Sequence, residues 1–375
     1  MNILVIPTTD WVRHPVPNRL NFIFDSLSAS HNITVLHFPL KQFRGNPPRP
    51  TSCKLVKSGP IPISDPSLFY LLNSPFHFLA IRKIIRKERI DLVLSANIFP
   101  SLLANYSGVP IVFDYLDHLE ESASVYYPDS FSGLVIKKWV RAITRFNLRK
   151  ATAVITVTGE LKDYLSKLGI HKVSVIPNGV DTALLRPQDK EKAKAILGLE
   201  GKCVIGYVGS LEHWVDLETA VDALPDIPDV VLLVIGPGLF TDYGAQIAGR
   251  AKARGVEDRV VFTGAIPYHE INKYIAAMDI GLNPLKRMKK NEYAAGGKVF
   301  NYLSCGRPVL SSRMVSLERL LGDDLFYYDD LNSFVSQIKH ILDNGRTEEH
   351  YRAIALRFDW NLLAQQYEAV MEAAI

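Results

Sequence analysis

The sequence predicts an α/β protein built from two doubly wound, Rossmann-like parallel sheets, and three observations carry this prediction. Short, nearly continuous apolar runs rich in β-branched residues recur along the chain, as in parallel strands that are covered on both faces. Helical patterns of about 10–15 residues separate these runs, which is the spacing of βαβ units. The length of 375 residues suits two domains of ordinary size.

The predicted strands fall into two groups on either side of a turn signal at Asn178-Gly179. The first group covers residues 2–6, 33–38, 92–95, 111–113, 153–157 and 174–176. The second group covers residues 203–208, 230–235, 260–263, 280–283, 308–310 and 325–327. We therefore expect one domain over residues 1–180, a second over 181–356 and an amphipathic helix over 357–375. Residues 39–66 contain seven prolines and predict a long irregular loop.

Composition excludes several classes of protein. With 47% hydrophobic and 22% charged residues, the chain is neither disordered, collagen-like nor a coiled coil. Cys53, Cys203 and Cys305 are far apart and form no C-x-x-C motif, which excludes a disulfide framework or zinc finger and favours the reducing cytoplasm. The N-terminus begins as a strand without the charged start of a secretory signal. Residues 67–81 are apolar but polar residues interrupt them, and they are shorter than the ~20 residues that span a bilayer.

The two halves of the chain differ in charge. Residues 1–180 carry 21 Lys and Arg against 12 Asp and Glu, a net charge of +9, whereas residues 181–375 carry a net charge of −5. This asymmetry predicts that the first half meets an anionic partner. Because no nucleic-acid-binding motif is present, we expect no nucleic acid partner and favour an anionic membrane surface. A cationic stripe at a spacing of four residues is the candidate contact; it comprises Lys137, Arg141, Arg145 and Arg149. The alternative is that this stripe is the solvated face of a helix that covers the sheet.

In open parallel sheets, ligands bind beyond the carboxyl ends of the strands. Gly209-Ser210 follows the first strand of the second half, where backbone N–H groups could approach a phosphate, although tight turns use glycine anyway. Gly296, Gly297 and Lys298 open a helix, a pattern that suits a diphosphate, and Asn301 lies one turn later, where it can bond sugar hydroxyls. The preceding basic loop runs from Lys286 to Lys290. No G-x-G-x-x-G or Walker motif follows a strand, which disfavours NAD binding and ATP hydrolysis.

In the first half, carboxylates follow the fourth predicted strand. Asp114 and Asp117 lie at its end, where a general base or a hydroxyl-orienting group would be placed. Glu120 and Glu121 have the position of ordinary helix N-terminal charges. Their spacing matches no familiar set of metal ligands. The polar, aromatic connection over residues 8–19 is a candidate lining of the same site.

Taken in order, these segments resemble the retaining glycosyltransferases of family 4, the group 1 enzymes with the GT-B fold. The resemblance covers essentially the whole chain and rests on residues 174–181 (SVIPNGVD), 205–211 (IGYVGSL), 230–236 (VVLLVIG), 259–264 (RVVFTG), 274–284 (YIAAMDIGLNP) and 298–309 (KVFNYLSCGRPV). Asp10-Trp11 and residues 113–117 and 212–216 resemble the teichuronic-acid-type branch.

The resemblance implies two Rossmann-like domains that face each other across a cleft. The acceptor would bind to the N-terminal domain and a nucleotide-sugar to the C-terminal one, and the final helix would cross back to the N-terminal domain. Gly209, Ser210, Gly296, Gly297 and Lys298 would hold the diphosphate. The backbone around Pro267 and Tyr268 would meet the base. No tightly bound metal and no cofactor are expected, because cations and helix N-termini offset the diphosphate charge.

Several positions depart from the family pattern. Asn301 replaces the usual ribose-binding glutamate, which forms stronger, charge-assisted bonds. Glu212-His213-Trp214 replaces the Arg and Lys after the Gly209 turn, so Lys298 and Lys286 are left to bind phosphate. Leu116-Asp117 replaces a His-Asp pair, so only Asp117 matches. The Gly-Gly acceptor loop after the first strand is also missing.

We therefore expect a cytoplasmic glycosyltransferase, with a candidate peripheral contact on the inner face of the cytoplasmic membrane. It would move a sugar from a nucleotide-diphosphate donor to a lipid-linked or polysaccharide acceptor with retention of the anomeric configuration, and Asp114, Asp117 and Lys298 are the candidate catalytic residues. Two alternatives stay open: an inactive nucleotide-sugar-binding partner subunit, and a GT-B epimerase or hydrolase of nucleotide sugars.

Overall fold

The computed structural model describes residues 1–117, 131–238, 241–288 and 291–375, without the side chains of residues 131 and 132. These residues form two compact units. The first comprises Met1–Pro177 together with Trp360–Ile375, and the second comprises Asn178–Asp359. Each unit is an α/β structure on one parallel sheet, which confirms the predicted fold class.

The first unit has a seven-stranded sheet in the order β3-β2-β1-β4-β5-β6-β7, and its neighbouring strands pair in parallel. The strands are β1 (Asn2–Ile6), β2 (Asn32–His37), β3 (Lys54–Lys57), β4 (Leu92–Ser95), β5 (Ile111–Tyr115), β6 (Ala153–Thr156) and β7 (Val173–Val175). The helices are α1 (Arg19–Leu27), α2 (Pro66–Leu72), α3 (Ser74–Glu88), α4 (Ile98–Ala104), α5 (Phe131–Lys150) and α6 (Gly159–Lys167), with a 3-10 turn at Lys41–Phe43.

The last helix of the chain completes this first unit. It is α15 (Trp360–Glu372), and it packs along α1, where the rings of Phe22 and Trp360 stack with their centroids 5.4 Å apart. Its buried residues join those of β1 and β5 in one apolar core. A second core lies on the other face of the sheet, under α2, α3 and α4.

The second unit has a six-stranded sheet in the order β10-β9-β8-β11-β12-β13, again with parallel pairing. The strands are β8 (Cys203–Val208), β9 (Val230–Ile235), β10 (Val260–Gly264), β11 (Ile280–Asn283), β12 (Val309–Ser312) and β13 (Phe326–Tyr328). The helices are α7 (Lys190–Leu197), α8 (Leu217–Ala223), α9 (Tyr243–Ala253), α10 (Ile271–Ala276), α11 (Gly297–Ser304), α12 (Val315–Leu321), α13 (Leu331–Asn344) and α14 (Glu348–Leu356). Short 3-10 turns cover Leu224–Asp226, Glu257–Arg259, Tyr268–Glu270 and Gly322–Asp324.

One strand lies inside the region predicted to be irregular. β3 occupies residues 54–57 of the proline-rich segment, and it pairs with β2 alone at the edge of the sheet. Lysines at both of its ends are typical of edge strands, because their charge discourages pairing with another chain. The prediction of an irregular loop over residues 39–66 was therefore wrong for these four residues.

Candidate functional site

The second unit has a switch in its winding direction between β8 and β11. After β8 the chain moves outward to β9 and β10, and it then returns to the other side of β8 as β11. The connections that leave β8 and β11 at their carboxyl ends therefore diverge, and such a point opens a crevice for ligands. Most of the residues predicted to hold a diphosphate lie at this edge.

Two glycines bring the turns after β8 and β9 into backbone contact. Gly209 has a φ of 151° and Gly236 a φ of 133°, both values that favour glycine. A Cβ atom on Gly236 would lie 2.0 Å from the Gly209 carbonyl oxygen, so no larger residue fits. The Gly209 N–H in turn donates to the Ile235 carbonyl at 2.9 Å. The turn after β8 is thus fixed by its neighbour, with no side chain of its own at position 209.

Lys298 extends past this bare turn. A Cβ atom on Gly209 would lie 3.2 Å from Lys298 Cε, and the ammonium group lies 5.0 Å from the centroid of the Tyr207 ring. Within the part of the chain that the structure describes, no carboxylate forms an ion pair with Lys298. Burial lowers the pKa of Lys298 to about 8. The result is a partly desolvated cation at the switch point, held without a neutralising carboxylate among the described residues.

The N-terminus of α11 adds to this positive potential. Gly296 is its N-cap residue and provides no side-chain cap. The Val299 N–H donates to the Gly296 carbonyl at 3.2 Å, and the N–H groups of Gly297 and Lys298 are left for another acceptor. A Cβ atom on Gly296 would lie 3.2 Å from Asn283 Oδ1, an oxygen that is buried and has no hydrogen-bond partner among the described residues. An ammonium group, a helix N-terminus and free N–H groups together suit a phosphate.

Asn283 was missed in the sequence analysis. It ends β11, is fully buried, and donates from Nδ2 to Ser311 Oγ at 2.9 Å on β12. Its position in the sequence indicates this place, because a polar residue that ends an otherwise apolar parallel strand lies at the ligand-binding edge of the sheet.

Ser210 and Asn301 also lie at this edge of the sheet. The Ser210 carbonyl accepts a 2.7 Å hydrogen bond from the Tyr207 hydroxyl, which holds the turn. Asn301 lies one helical turn after Lys298, is half-buried, and makes no side-chain hydrogen bond within the described residues. The structure therefore groups Gly209, Ser210 and Lys298 with the helix start and leaves the Asn301 amide available.

The structure pairs Lys286 with a carboxylate. Its ammonium group lies 2.7 Å from Glu218 Oε1 and 5.1 Å from the centroid of the Tyr243 ring. Burial raises the pKa of Glu218, but hydrogen bonds from Lys286 and Tyr243 outweigh burial and keep that pKa below its usual value. Lys286 thus forms an ion pair with Glu218, and the expectation that it shares phosphate binding with Lys298 stays a prediction. Lys289 and Lys290 lie outside the described residues.

Pro267 and Tyr268 follow β10, two strands away from β8 in the same sheet. Pro267 is exposed, whereas Tyr268 is half-buried and packs against the core of the unit. Burial raises the pKa of the Tyr268 hydroxyl. Both residues lie at the carboxyl edge of the sheet, farther from the switch point than Gly209.

In the first unit, Asp114 lies in the interior and not at an open strand end. Its side chain is fully buried, accepts a 2.6 Å hydrogen bond from the Tyr367 hydroxyl, and lies 3.6 Å from Arg19 Nε. Burial raises the pKa of Asp114, while Arg19 and Tyr367 act in the opposite direction. Because side chains alternate along a strand, Asp114 shares the inward face of β5 with Val112. The catalytic role expected of Asp114 stays a prediction, and these buried contacts support a structural role for it.

Asp117 is half-buried and is the last residue described before the gap, so His118, Glu120 and Glu121 lie outside the described residues. Trp11, from the connection expected to line a site, belongs to the core, where its Nε1 donates to Thr51 Oγ1 at 3.1 Å. Asp10 accepts hydrogen bonds from the N–H groups of Val12 and Arg13.

The predicted cationic stripe lies on α5. Arg141 and Arg149 are exposed, whereas Lys137 and Arg145 are half-buried. Basic residues of this helix line a shallow groove of about 580 Å³. Across residues 1–117, 131–238, 241–288 and 291–375, no group of three or more His, Cys, Asp or Glu side chains is placed to hold a metal ion. No helix in the same ranges is both long and apolar enough to cross a membrane.

Two family models match the chain, one in each half. The model described as Glycosyltransferase Family 4 matches residues 26–184, and the model described as Glycosyl transferases group 1 matches residues 202–344. Together they span most of both units.

The curated relatives are distant in sequence, and the match covers only part of each relative. The chain is 26% identical over 283 residues to a putative teichuronic acid biosynthesis glycosyltransferase, TuaH of Bacillus subtilis (strain 168), covering 72% of this chain and 68% of the relative. It is 31% identical over 231 residues to a 2-deoxystreptamine glucosyltransferase of Streptomyces kanamyceticus, covering 59% of this chain and 57% of the relative. The matches thus span between about half and two thirds of these relatives.

Solved structures share the fold over the full chain. A sucrose-phosphate synthase from Thermosynechococcus elongatus superposes with a TM-score of 0.79 at 18% identity, covering 100% of this chain and 99% of that one. Anabaena Alr3699/HepE in complex with UDP-glucose superposes with a TM-score of 0.75 at 18% identity, covering 100% of both chains. At this level of identity the likeness establishes the fold alone.

Proposed function

The chain belongs to the family 4, group 1 glycosyltransferases of GT-B fold, in the teichuronic-acid-type branch, and from this membership we propose that it transfers a sugar from a nucleotide-diphosphate donor to a lipid-linked or polysaccharide acceptor. We propose further that the anomeric configuration is retained. The donor would bind to the second unit and the acceptor to the first.

The observation that carries the proposal is the environment of Lys298. Its ammonium group lies against the Gly209 turn beside the open start of α11, and no described carboxylate neutralises it. A diphosphate bound there would receive charge-assisted hydrogen bonds from the ammonium group and weaker ones from the helix N–H groups. Such a site stabilises negative charge most when the sugar–phosphate bond breaks and the second phosphate gains charge. Lys298 is therefore the proposed electrostatic catalyst.

The proposed reaction needs no other reactant. The bond between the anomeric carbon and the diphosphate oxygen breaks, and the acceptor hydroxyl oxygen bonds to the same face of that carbon. The hydroxyl proton passes to the leaving diphosphate, so a protein base is not required for balance. Asp117 stays a candidate for orienting the acceptor. We propose no tightly bound metal and no cofactor, because Lys298 and the helix start supply the compensating charge.

Asn301 is the proposed contact with the ribose or sugar hydroxyls of the donor. Its amide lies one turn beyond Lys298 and is not engaged by other described residues. An amide forms weaker bonds to hydroxyl groups than a carboxylate does. We therefore propose a donor site that depends more on the diphosphate than on the sugar ring.

The test is a metal-free thermal-shift titration with UDP, GDP and their sugar conjugates on the wild type, Lys298→Met and the surface control Lys252→Met. A nucleotide at ~100 times its dissociation constant should stabilise the wild type by ~2.7 kcal/mol. Loss of a charged hydrogen bond should weaken binding to Lys298→Met by about 10- to 100-fold. Equal affinity in all three proteins would place the diphosphate elsewhere and overturn the site.

One observation favours a second candidate, an inactive nucleotide-sugar-binding subunit. Lys286, expected to assist Lys298, is already paired with Glu218. Activity separates the two functions: nucleotide release that depends on an added lipid or glycan acceptor supports transfer. Release without acceptor indicates a hydrolase, and conversion of the donor to its sugar epimer without release indicates an epimerase. Binding with neither release nor conversion of the donor indicates the subunit.

A further inference from the structure

Large apolar side chains are exposed together on one part of the first unit. They lie on α2 and the first half of α3 and are between 43% and 64% exposed; they are Leu68, Leu71, Leu72, Phe76 and Leu79. We call them the α2–α3 apolar patch. Single exposed leucines are ordinary, but five such residues within twelve positions are typical of an interaction surface.

The patch is not a misplaced part of the core. The opposite sides of the same two helices are already buried, with Phe69 and Tyr70 on α2 and His77, Ile81 and Ile84 on α3. The His77 Nδ1 atom lies 2.7 Å from Ser58 Oγ in that interior. Both helices are therefore packed on their inner sides, and the patch is additional apolar surface without a partner among the described residues.

The outer face of α3 changes from apolar to cationic along its length. Phe76 and Leu79 are followed at helical spacing by four exposed basic residues, Arg82, Lys83, Arg86 and Lys87. None of these four forms an ion pair within the described residues; the one acidic residue of the helix, Glu88, pairs with Lys54 at 2.7 Å. Apolar and positive surface thus lie end to end on one helix.

The neighbouring helices extend the same layer. α4 packs against α3 on one side and against α5 on the other, so the three helices cover one face of the first sheet. On α5, Lys138 is exposed, and so is Trp139, whose exposed fraction is 66%. An exposed Trp ring and basic side chains in the same helical layer as an apolar patch are the composition of proteins that lie on membranes.

We infer that this layer docks on an anionic lipid bilayer, with the α2–α3 apolar patch in the interfacial region and Arg82, Lys83, Arg86 and Lys87 at the lipid phosphates. The inference deepens the proposed function, since it gives a lipid-linked acceptor a route to the first unit. A lipid surface is favoured over a protein partner because the first 180 residues carry a net charge of +9 and the cations flank the patch without fixed acidic partners.

The experiment is flotation of the full chain with phosphatidylcholine vesicles, with and without phosphatidylglycerol, at low and high salt. We expect flotation with the anionic vesicles at low salt, weakened by high salt because screening reduces the charge contribution. Each basic residue at such a surface contributes about fivefold in affinity. Lys83→Gln/Arg86→Gln should therefore weaken binding by about 25-fold, and Leu71→Ser/Leu79→Ser by about tenfold or more.

Matched controls lie in the second unit. Leu342→Ser changes an equally exposed leucine, and Lys252→Gln changes an exposed lysine, so neither should alter flotation. A wild type that floats with neither vesicle, or a Leu71→Ser/Leu79→Ser protein that floats like the wild type, would overturn the inference. The first of these outcomes would indicate a protein partner for the patch.

A second measurement follows contact with the vesicles directly and needs no variant that loses vesicle binding. An environment-sensitive fluorophore on Leu79→Cys should shift to the blue when anionic vesicles are added, whereas the same label on Leu342→Cys should not. Equal shifts at both positions, or none at Cys-labelled position 79, would contradict docking through this patch. The vesicle assays contain no nucleotide, so failure of the donor site and failure of the docking surface are separately visible.

Discussion

The Tyr367 hydroxyl donates a 2.6 Å hydrogen bond to Asp114 Oδ2, joining two buried residues that are 253 positions apart in the sequence. Arg19 lies 3.6 Å from the same carboxylate oxygen, and its Nη2 donates to the Ile176 carbonyl at 2.9 Å. One buried carboxylate therefore connects β5 with the first and last helices of the first unit. Removing a partner of a buried charge is costly, because the charge keeps its desolvation penalty.

Tyr367→Phe should destabilise the first unit by about 1.5–3 kcal/mol, the usual contribution of a hydrogen bond to a charged group. Urea unfolding followed by circular dichroism measures this change. Tyr106→Phe is the matched control, because that ring is 68% exposed and its hydroxyl makes no hydrogen bond within the described residues. Equal stability of the two variants would show that the Asp114 contact contributes nothing.

Binding of the nucleotide diphosphate should weaken as the pH rises through about 8. Burial lowers the pKa of Lys298 to about 8, so the ammonium group is mostly charged at pH 7 and mostly neutral well above pH 8. A bound anion favours the protonated form, and binding above this pKa requires proton uptake. The dissociation constant should then rise by up to about tenfold per pH unit.

Calorimetric titrations from pH 7 to about 9.5 check this pH dependence. Lys298→Arg should bind nucleotide with little change over that range, because a guanidinium group keeps its charge. Lys298→Met should bind weakly at every pH. A wild-type profile that is flat over this range would mean that Lys298 is not the group that meets the diphosphate.

Asn301→Glu should tighten binding of the sugar nucleotide by about tenfold, since a carboxylate accepts stronger hydrogen bonds from hydroxyl groups. The comparison that isolates this effect uses the matching deoxyribonucleotide, for which the gain should shrink. Asn332→Glu adds the same charge at an exposed position of the second unit and should leave affinity unchanged. A gain that is the same with both nucleotides would argue against a ribose contact.

Gly236→Ala should disrupt both the fold and the donor site. The added Cβ would meet the Gly209 oxygen at 2.0 Å, so the turn that borders Lys298 has to move. We expect a loss of about 2–5 kcal/mol in stability from combined strain and overpacking. Gly255→Ala is the matched control: Gly255 also has a positive φ, 66°, but nothing lies within 4 Å of its Cβ position. Gly255→Ala should lower the stability of the protein by only about 1–2 kcal/mol and leave nucleotide binding intact.

The sequence was sufficient for the strands that are buried on both faces. β8, β9 and β11 have the predicted bounds, because a short apolar run between turn residues predicts a parallel strand that is buried on both faces. β3 could not be found in the same way. It is a four-residue edge strand with lysines at both ends, and its pairing with β2 decides its conformation, not its own composition.

The candidate site was predictable where backbone geometry sets it. Gly209 and Lys298 lie together because glycine at a strand end and a basic residue at a helix start are local signals with a fixed place in a doubly wound sheet. The side-chain pairings were not predictable. Glu218 on α8 pairs with Lys286 in the loop after β11, and Tyr367 and Arg19 contact Asp114 from the last and first helices of the first unit. Such contacts depend on which elements the fold packs side by side.

The position of α15 has a consequence for synthesis. The first unit begins with residue 1 but is complete only when residues 360–375 have been made, after the whole of the second unit. At ~5–20 residues per second, the roughly 180 intervening residues take ~10–40 s to translate. During that interval the surface that Trp360, Leu363 and Tyr367 later cover stays open on the nascent chain, while the continuous second unit has all it needs to fold. The nascent chain thus carries a first unit that lacks only its last segment, residues 360–375, and the apolar surface left open there is a binding site for chaperones.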